Sequence, residues 1–316
     1  MKRNRISGFL FLLVILAVIG YSAYGMVNQG KDEDYISVSV IVNDSSNIRW
    51  DAFRSGLEQG AEDNHVHLNL VSTGTFQNAQ EEHTIVKREL DGEADGVIIE
   101  PYSSEADVIL PTESAKPVVL VETGIETDRL FTSVMTDHGK LGKSLADAVI
   151  QDKAVKVGIL SGNQSQLGMR QRLKSVKDNL AEAGIEISWI LSEKELDKKM
   201  RNVEYFTENP VDAVISLEND DTEKAVDIIL NHDSISWKLY GEGRSEKLIY
   251  YLDKGTIQEL AVPNEYYMGY QSIVLAAQNI RYYTDKTEQA EVEFYMVSRD
   301  DLYAEETSRI LFPTVR

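Results

Sequence analysis

Val155-Lys156-Val157-Gly158-Ile159-Leu160-Ser161-Gly162 is a short apolar run closed by a glycine, and together with the thirty residues after it this run decides the fold. Residues 167–183 place Leu173, Val176 and Leu180 on one helical face, and Gly184 supplies the stop. Residues 185–191 are a second apolar run of strand length. Strand, helix and strand in so short a span form a β-α-β unit, which requires the two strands to run parallel. The same rhythm continues toward the C-terminus. Residues 193–207, 222–230, 246–252 and 266–280 read as helices. Residues 211–217, 237–240, 257–262 and 292–297 read as strands.

Toward the N-terminus the pattern is equally clear. Residues 36–42 alternate as a strand. Trp50, Phe53, Leu57 and Ala61 then fall at helical spacing, with Asn47 as the expected N-cap. Strands are expected at 65–71, 96–99 and 118–121, and a helix at 78–90. So many strands do not fit one small sheet. The expectation is an α/β protein of two doubly wound parallel-sheet lobes, with a break near 137–153. On such sheets ligands bind beyond the carboxyl ends of the strands. That rule selects the loops 43–50, 100–103, 122–123, 137–138, 162–172, 218–220 and 241–244.

The chain has 316 residues, a net charge of −20 and no cysteine. So acidic a body repels phosphate backbones, so no nucleic-acid partner is expected. Without cysteine there are no disulfides, thiolate metal sites or thiol nucleophile. Residues 6–27 are uncharged and mostly apolar, long enough to cross a bilayer. Lys2, Arg3 and Arg5 precede them, which keeps the N-terminus cytoplasmic and exports the rest. An uncleaved single-pass anchor is the expectation. Its rival is a signal peptide cut at Ala23-Tyr24-Gly25. Either places the body outside the cytoplasm, and the anchor places the protein at the cell membrane.

Catalytic signatures are missing. There is no dinucleotide or nucleotide glycine loop and no Gly-x-Ser-x-Gly elbow. His65 and His67 form an H-x-H without a nearby third ligand, and Asp220-Asp221 suits a helix N-terminus. No enzyme, cofactor or metal is expected.

The ordered loops resemble the type I periplasmic binding proteins, in particular the sugar-binding, ribose-binding-protein-like branch. Ala94-Asp95-Gly96-Val97-Ile98-Ile99-Glu100-Pro101 is similar to the family's G-V-D-G-I-I-I-x-P. Pro117-Val118-Val119-Leu120-Val121-Glu122 resembles its P-V-V strand with a terminal acid. Val134-Met135-Thr136-Asp137-His138, with Gly142, resembles its crossover V-x-x-D-N-x-x-x-G. Arg172-Leu173-Lys174-Ser175-Val176, Asn219-Asp220 and Met268-Gly269-Tyr270 come next, in the family's order.

The resemblance implies two lobes closing on a small ligand, usually a sugar, with three hinge crossings near 137, 263 and 285–292. Ahead of the lobes, the charge and apolar pattern gives a cytoplasmic tail (1–5), an anchor (6–27) and a linker (28–35). One lobe is then 36–136 plus 264–288, and the other 137–263 plus 289–316. The ligand residues it implies are Asn47, Arg49, Trp50, Glu122, His138, Arg172 and Asn219, with Trp50 stacking on the sugar. On spacing alone Trp50 reads equally as core. Three departures stand out. Gly243 occupies the family's aspartate position, with Glu242 expected to point elsewhere. Pro263 replaces the hinge glutamine, and Arg49 replaces an aromatic. An acidic or phosphorylated sugar reached by Arg49 and Arg172 is the expected variant ligand. The implied function is a tethered solute-binding protein serving an ABC permease or a sensor histidine kinase. The alternative is a ligand-free scaffold that keeps the fold.

Overall fold

The computed structural model describes residues 35–110, 115–282, 287–305, 307 and 311. In chain order its elements begin with β1 (Ile36–Ile41), α1 (Asp51–Asp63), β2 (Val66–Leu70), α2 (Ala79–Asp91), β3 (Gly96–Ile99) and α3 (Ala106–Ile109). Next come β4 (Val118–Val121), β5 (Thr132–Thr136), α4 (His138–Gln151), β6 (Lys156–Leu160), α5 (Leu167–Glu182) and β7 (Glu186–Leu191). After these are α6 (Glu193–Met200), α7 (Glu204–Glu208), β8 (Ala213–Ser216), α8 (Asn219–Asn231), β9 (Lys238–Glu242) and α9 (Glu246–Asp253). The last are β10 (Ile257–Pro263), α10 (Glu265–Tyr282), β11 (Gln289–Val292) and β12 (Phe294–Ser298).

The strands form two six-stranded sheets, ordered β11-β5-β4-β3-β1-β2 and β12-β10-β9-β8-β6-β7. The two parallel sheets agree with the expectation. β12 is the exception, running antiparallel to β10. Central strands are apolar because helices cover both faces: every residue of β3 and β8 is buried. β1 alternates in sequence yet is also buried on both faces. Ser39 is tolerated there because its hydroxyl donates to Glu89 Oε2 at 2.8 Å and accepts from Asn69 Nδ2 at 2.9 Å. α1 and α10 pack so closely that a Cβ on Gly56 would overlap the carbonyl oxygen of Tyr266, and one on Gly269 that of Phe53.

Four expectations change. Residues 193–207 are two helices, α6 and α7, so that Phe206 can turn inward against Trp189 and Trp237. β5 and α4 are elements that the sequence pattern does not predict. β5 is rich in Thr and Ser and lacks an apolar pattern, and Asn279 Nδ2 satisfies its buried Thr132 hydroxyl at 2.8 Å. The expected strand at 292–297 is two strands in different sheets. β11 pairs with β5, so residues 289–292 belong with the first sheet and not the second. Asn47 caps a short 3₁₀ turn, Ile48–Trp50, ahead of α1, its side chain accepting from the Arg49 N–H.

The chain therefore passes between the sheets at 137, at 264 and at Glu293, whose carbonyl accepts from the Asn264 N–H at 2.9 Å. The expected anchor at 6–27, with its tail and nearly all of its linker, lies outside the described residues. Among the described residues no helix is long and apolar enough to cross a membrane.

Candidate binding cleft

Side chains from the carboxyl ends of both sheets meet around a small central cavity of about 20 Å³. The first sheet and its helices contribute Arg49, Trp50, Phe53, Glu100, Glu122, Glu265 and Met268. The second contributes Gln166, Met169, Arg172, Glu218, Asn219 and Glu242. A larger cavity of about 440 Å³ adjoins it, and Arg49, Glu100, Gln166 and Glu218 line both.

Arg172 organises the second-sheet side. Its side chain is 1% exposed. Nε donates to His138 Nδ1 at 2.9 Å, Nη1 to the Leu217 carbonyl at 2.8 Å and Nη2 to Glu122 Oε1 at 2.5 Å. Glu242 Oε2 lies 3.6 Å from Nη1. α5 approaches α4 closely enough for this because residue 142 is glycine; a Cβ there would sit 2.5 Å from the Arg172 carbonyl oxygen. His138 accepts at Nδ1, so it carries its proton on Nε2, which donates to the Glu122 carbonyl at 2.6 Å. Burial, then the Arg172 charge, hold this imidazole down at about 4, so it is neutral at pH 7. Glu122 sits at φ 60, a left-handed conformation that aims both its carbonyl and its carboxylate at this pair. Burial favours its neutral form, but Arg172, His138 and Arg49 outweigh burial and hold it below the usual carboxylate range.

Arg49 organises the other side. Its guanidinium lies 4.0 Å from the centre of the Trp50 ring and donates to Glu100 Oε1 at 3.0 Å. A second nitrogen is 4.0 Å from Glu218 Oε1. Trp50 is 5% exposed, tilts against Phe53 at 5.5 Å and donates Nε1–H to the Asn43 carbonyl at 3.1 Å. Asn219 Oδ1 accepts from the Arg244 N–H at 3.3 Å. Asn47 lines the larger cavity and donates to Asp220 Oδ2 at 3.3 Å, across the cleft.

Burial and neighbouring acids raise the remaining carboxyls. Burial and then Asp221 push Glu218 up to about 8; burial, which outweighs the opposing pull of Arg172, pushes Glu242 up to about 8. Burial lifts Glu265 to about 7 against the pull of Arg244, and raises Glu100 against that of Arg49. Glu100 Oε2 and Glu218 Oε2 have no hydrogen-bond partner among the described residues.

Of the seven residues expected to hold ligand, Arg49, Trp50, Glu122, Arg172 and Asn219 line the central cavity, and Asn47 the larger one. His138 does not line either cavity; it is 3% exposed and supports Arg172 and Glu122 from behind. Glu242 points into the cleft, contrary to expectation, because it ends β9 and its side chain leaves the sheet at the strand's carboxyl end. The expected open arginine pair for an acidic sugar is not there either. Both guanidiniums are already neutralised by the protein's own glutamates. Glu100, Gln166, Glu218 and Glu265 are cleft residues that the sequence reading misses. The first three lie in or beside loops that the strand-end rule selects, which is the available signal.

The lobes are clasped along the cleft rim. The Ser104 N–H donates to the Ser165 carbonyl at 2.9 Å, Gln166 Nε2 to the Pro101 carbonyl at 3.1 Å and the Gly168 N–H to Thr123 Oγ1 at 2.9 Å. Arg170 Nη2 reaches Ser104 Oγ at 2.9 Å and Glu126 Oε1 at 2.7 Å.

Two parallel-sheet lobes, three crossings and converging strand-end side chains define a two-lobed cleft protein. The periplasmic binding protein domain family matches residues 38–283, and the chain belongs to that family. Among solved structures it is similar to a carbohydrate transporter solute-binding protein from Agrobacterium radiobacter in complex with D-arabinose. The TM-score is 0.79 at 17% identity, covering 89% of this chain and 100% of that one. It is also similar to GanP, a glucose-galactose binding protein from Geobacillus stearothermophilus, with TM-score 0.76 at 22% identity, covering 86% and 100%. A XylFII-LytSN complex gives 0.71 at 14% identity, covering 84% and 99%. No sequence among the curated proteins matches. The periplasmic binding protein domain family is not a catalytic one.

Proposed function

We propose that this protein is an extracytoplasmic solute-binding protein, tethered by residues 6–27, that captures a small carbohydrate between its lobes. One observation carries the reading: polar side chains from both sheets converge on one cleft whose rim is held by hydrogen bonds between the lobes. A ligand touching both walls favours the closed form by its differential affinity, and a partner can read that closure. The partner is an ABC permease or a sensor histidine kinase. The solved relatives bind arabinose, or glucose and galactose, and one pairs with LytSN; these support both kinds of ligand and partner.

A ligand-free scaffold is the second reading. The central cavity of about 20 Å³ has room for about one water, and both arginines are already paired, which favours it. A thermal-shift screen of the full chain against neutral, acidic and amino sugars decides between the two. A ligand at about 100 times its Kd adds about 2.7 kcal/mol, a shift of several degrees in a body this size. A shift with one sugar class, lost in Asn219→Ala, supports capture. No shift across the panel supports the scaffold.

A further inference from the structure

The cavity of about 440 Å³ beside the central one is the roomier part of the cleft, within the range typical of small-molecule sites. Six carboxylates line it, against the three cations Arg49, Lys194 and Lys224. Two of those cations are already engaged. Arg49 pairs with Glu100, and Lys224 lies 2.9 Å from Asp197 and 3.4 Å from Asp221. Glu100 is 2% exposed, and its Oε2 has no hydrogen-bond partner among the described residues. Glu218 Oε2, on the facing lobe, is likewise unpartnered. Unsatisfied buried carboxylate oxygens are costly, and an ammonium group offers three donors together with the compensating charge. Arg49 already fills the gap between the Oε1 atoms of these two side chains, 3.0 Å from Glu100 and 4.0 Å from Glu218, so a ligand cation would meet their Oε2 atoms instead. The side-chain amides of Asn43, Asn47, Asn163 and Gln166 around the same cavity suit hydroxyl groups.

We propose that the cleft takes a small polyhydroxylated amine, an amino sugar in its protonated form, with its ammonium group between Glu100 and Glu218. This rests on the cleft being a ligand site, and it makes that reading more specific. A neutral sugar leaves the acidic excess uncompensated, and an anionic sugar meets it directly. Burial and Asp221 hold Glu218 at about 8, so it carries its own proton at pH 7 without ligand and gives that proton up when the ammonium group arrives.

The test is calorimetric titration of the full chain at pH 7.5 with three 2-amino-2-deoxyhexoses (D-glucosamine, D-galactosamine and D-mannosamine). Each is compared with its neutral hexose and with the corresponding uronic acid. One amino sugar is expected to bind about tenfold or more tighter than its neutral counterpart, the difference between a charge-assisted and a neutral hydrogen bond. Glu100→Gln and Glu218→Gln are each expected to reduce that preference severalfold while leaving a cooperative unfolding transition. Should a neutral or acidic hexose bind as tightly as its amine, the amine proposal fails and the cleft reading stands. If none of the nine binds, the amine proposal fails, and the cleft reading is decided by the thermal-shift panel. A preference that survives both glutamine variants places the amine elsewhere and also overturns the proposal.

Discussion

Arg172 is the residue on which the cleft's electrostatics turn. It is the shared partner of half-buried Glu122 and of Glu242 and His138, which are buried with it. Arg172→Ala strands the Glu122 carboxylate without its cation and should cost about 3–5 kcal/mol, read as the midpoint of denaturant unfolding. Arg172→Lys keeps the charge but not the fork, so it should recover only part of the loss. The raised carboxyls give a second expectation. Glu218 and Glu242 stand at about 8, Glu265 at about 7 and Glu82, buried behind the Tyr102 N–H, at about 8, against an ordinary 4.5. Between 4.5 and about 8 the folded state binds more protons than the unfolded one, so stability falls as pH rises through that window. His138, lowered from 6.5 to about 4, acts oppositely but only below 6.5. The Tm should therefore drop from about pH 6.5 to about pH 8.5, and Glu82→Gln should flatten part of the drop. A Tm that rises over that interval would contradict these assignments. Arg49, Trp50, Arg172 and Asn219 are legible in the sequence because each comes after a strand end in a recognisable order. Glu100 and Glu218 are not, because an acid after a strand looks the same whether it faces solvent or a buried cleft.

At the scale of elements, close helix contacts set the frame. α1 and α10 touch through Gly56 and Gly269, where any Cβ would collide with a backbone carbonyl of the other helix. Gly269→Ala should therefore force the helices apart, at about 1–3 kcal/mol. The measurement is thermal unfolding, where a drop of a few degrees is expected; an unchanged Tm would show that the contact is looser than described. Gly184, at φ +72 with nothing near its absent Cβ, serves only as a helix stop, and Gly184→Ala carries the strain of that backbone alone. Most strands and helices are legible because a buried parallel strand and an amphipathic helix leave distinct apolar patterns. β5 escapes notice because Thr132 and Ser133 are buried polar residues. The resemblance puts the β11–β12 crossover at 285–292, one residue short of Glu293, but strand periodicity alone runs through it because one residue separates strands of different sheets.

For the whole molecule, the proposed function depends on two lobes that close. The rim bonds from Arg170 to Ser104 and Glu126, and from Gln166 to the Pro101 carbonyl, are what the open form must break. Arg170→Ala should shift the population toward the open form. Small-angle scattering without sugar should then give a larger radius of gyration, and ligand should reverse it. The central claim is that ligand binds between the lobes, and Trp50 makes it directly observable. Trp189 and Trp237 pack together in the core of the second lobe, 5.9 Å apart, whereas Trp50 lines the cleft. The measurement is a tryptophan-fluorescence titration with the sugar that gives the largest thermal shift. The account predicts a saturable change that vanishes in Trp50→Phe while calorimetry still detects binding in that variant. A saturable change that persists in Trp50→Phe, or thermal stabilisation with no fluorescence change in the native chain, would place the ligand outside the cleft and contradict it.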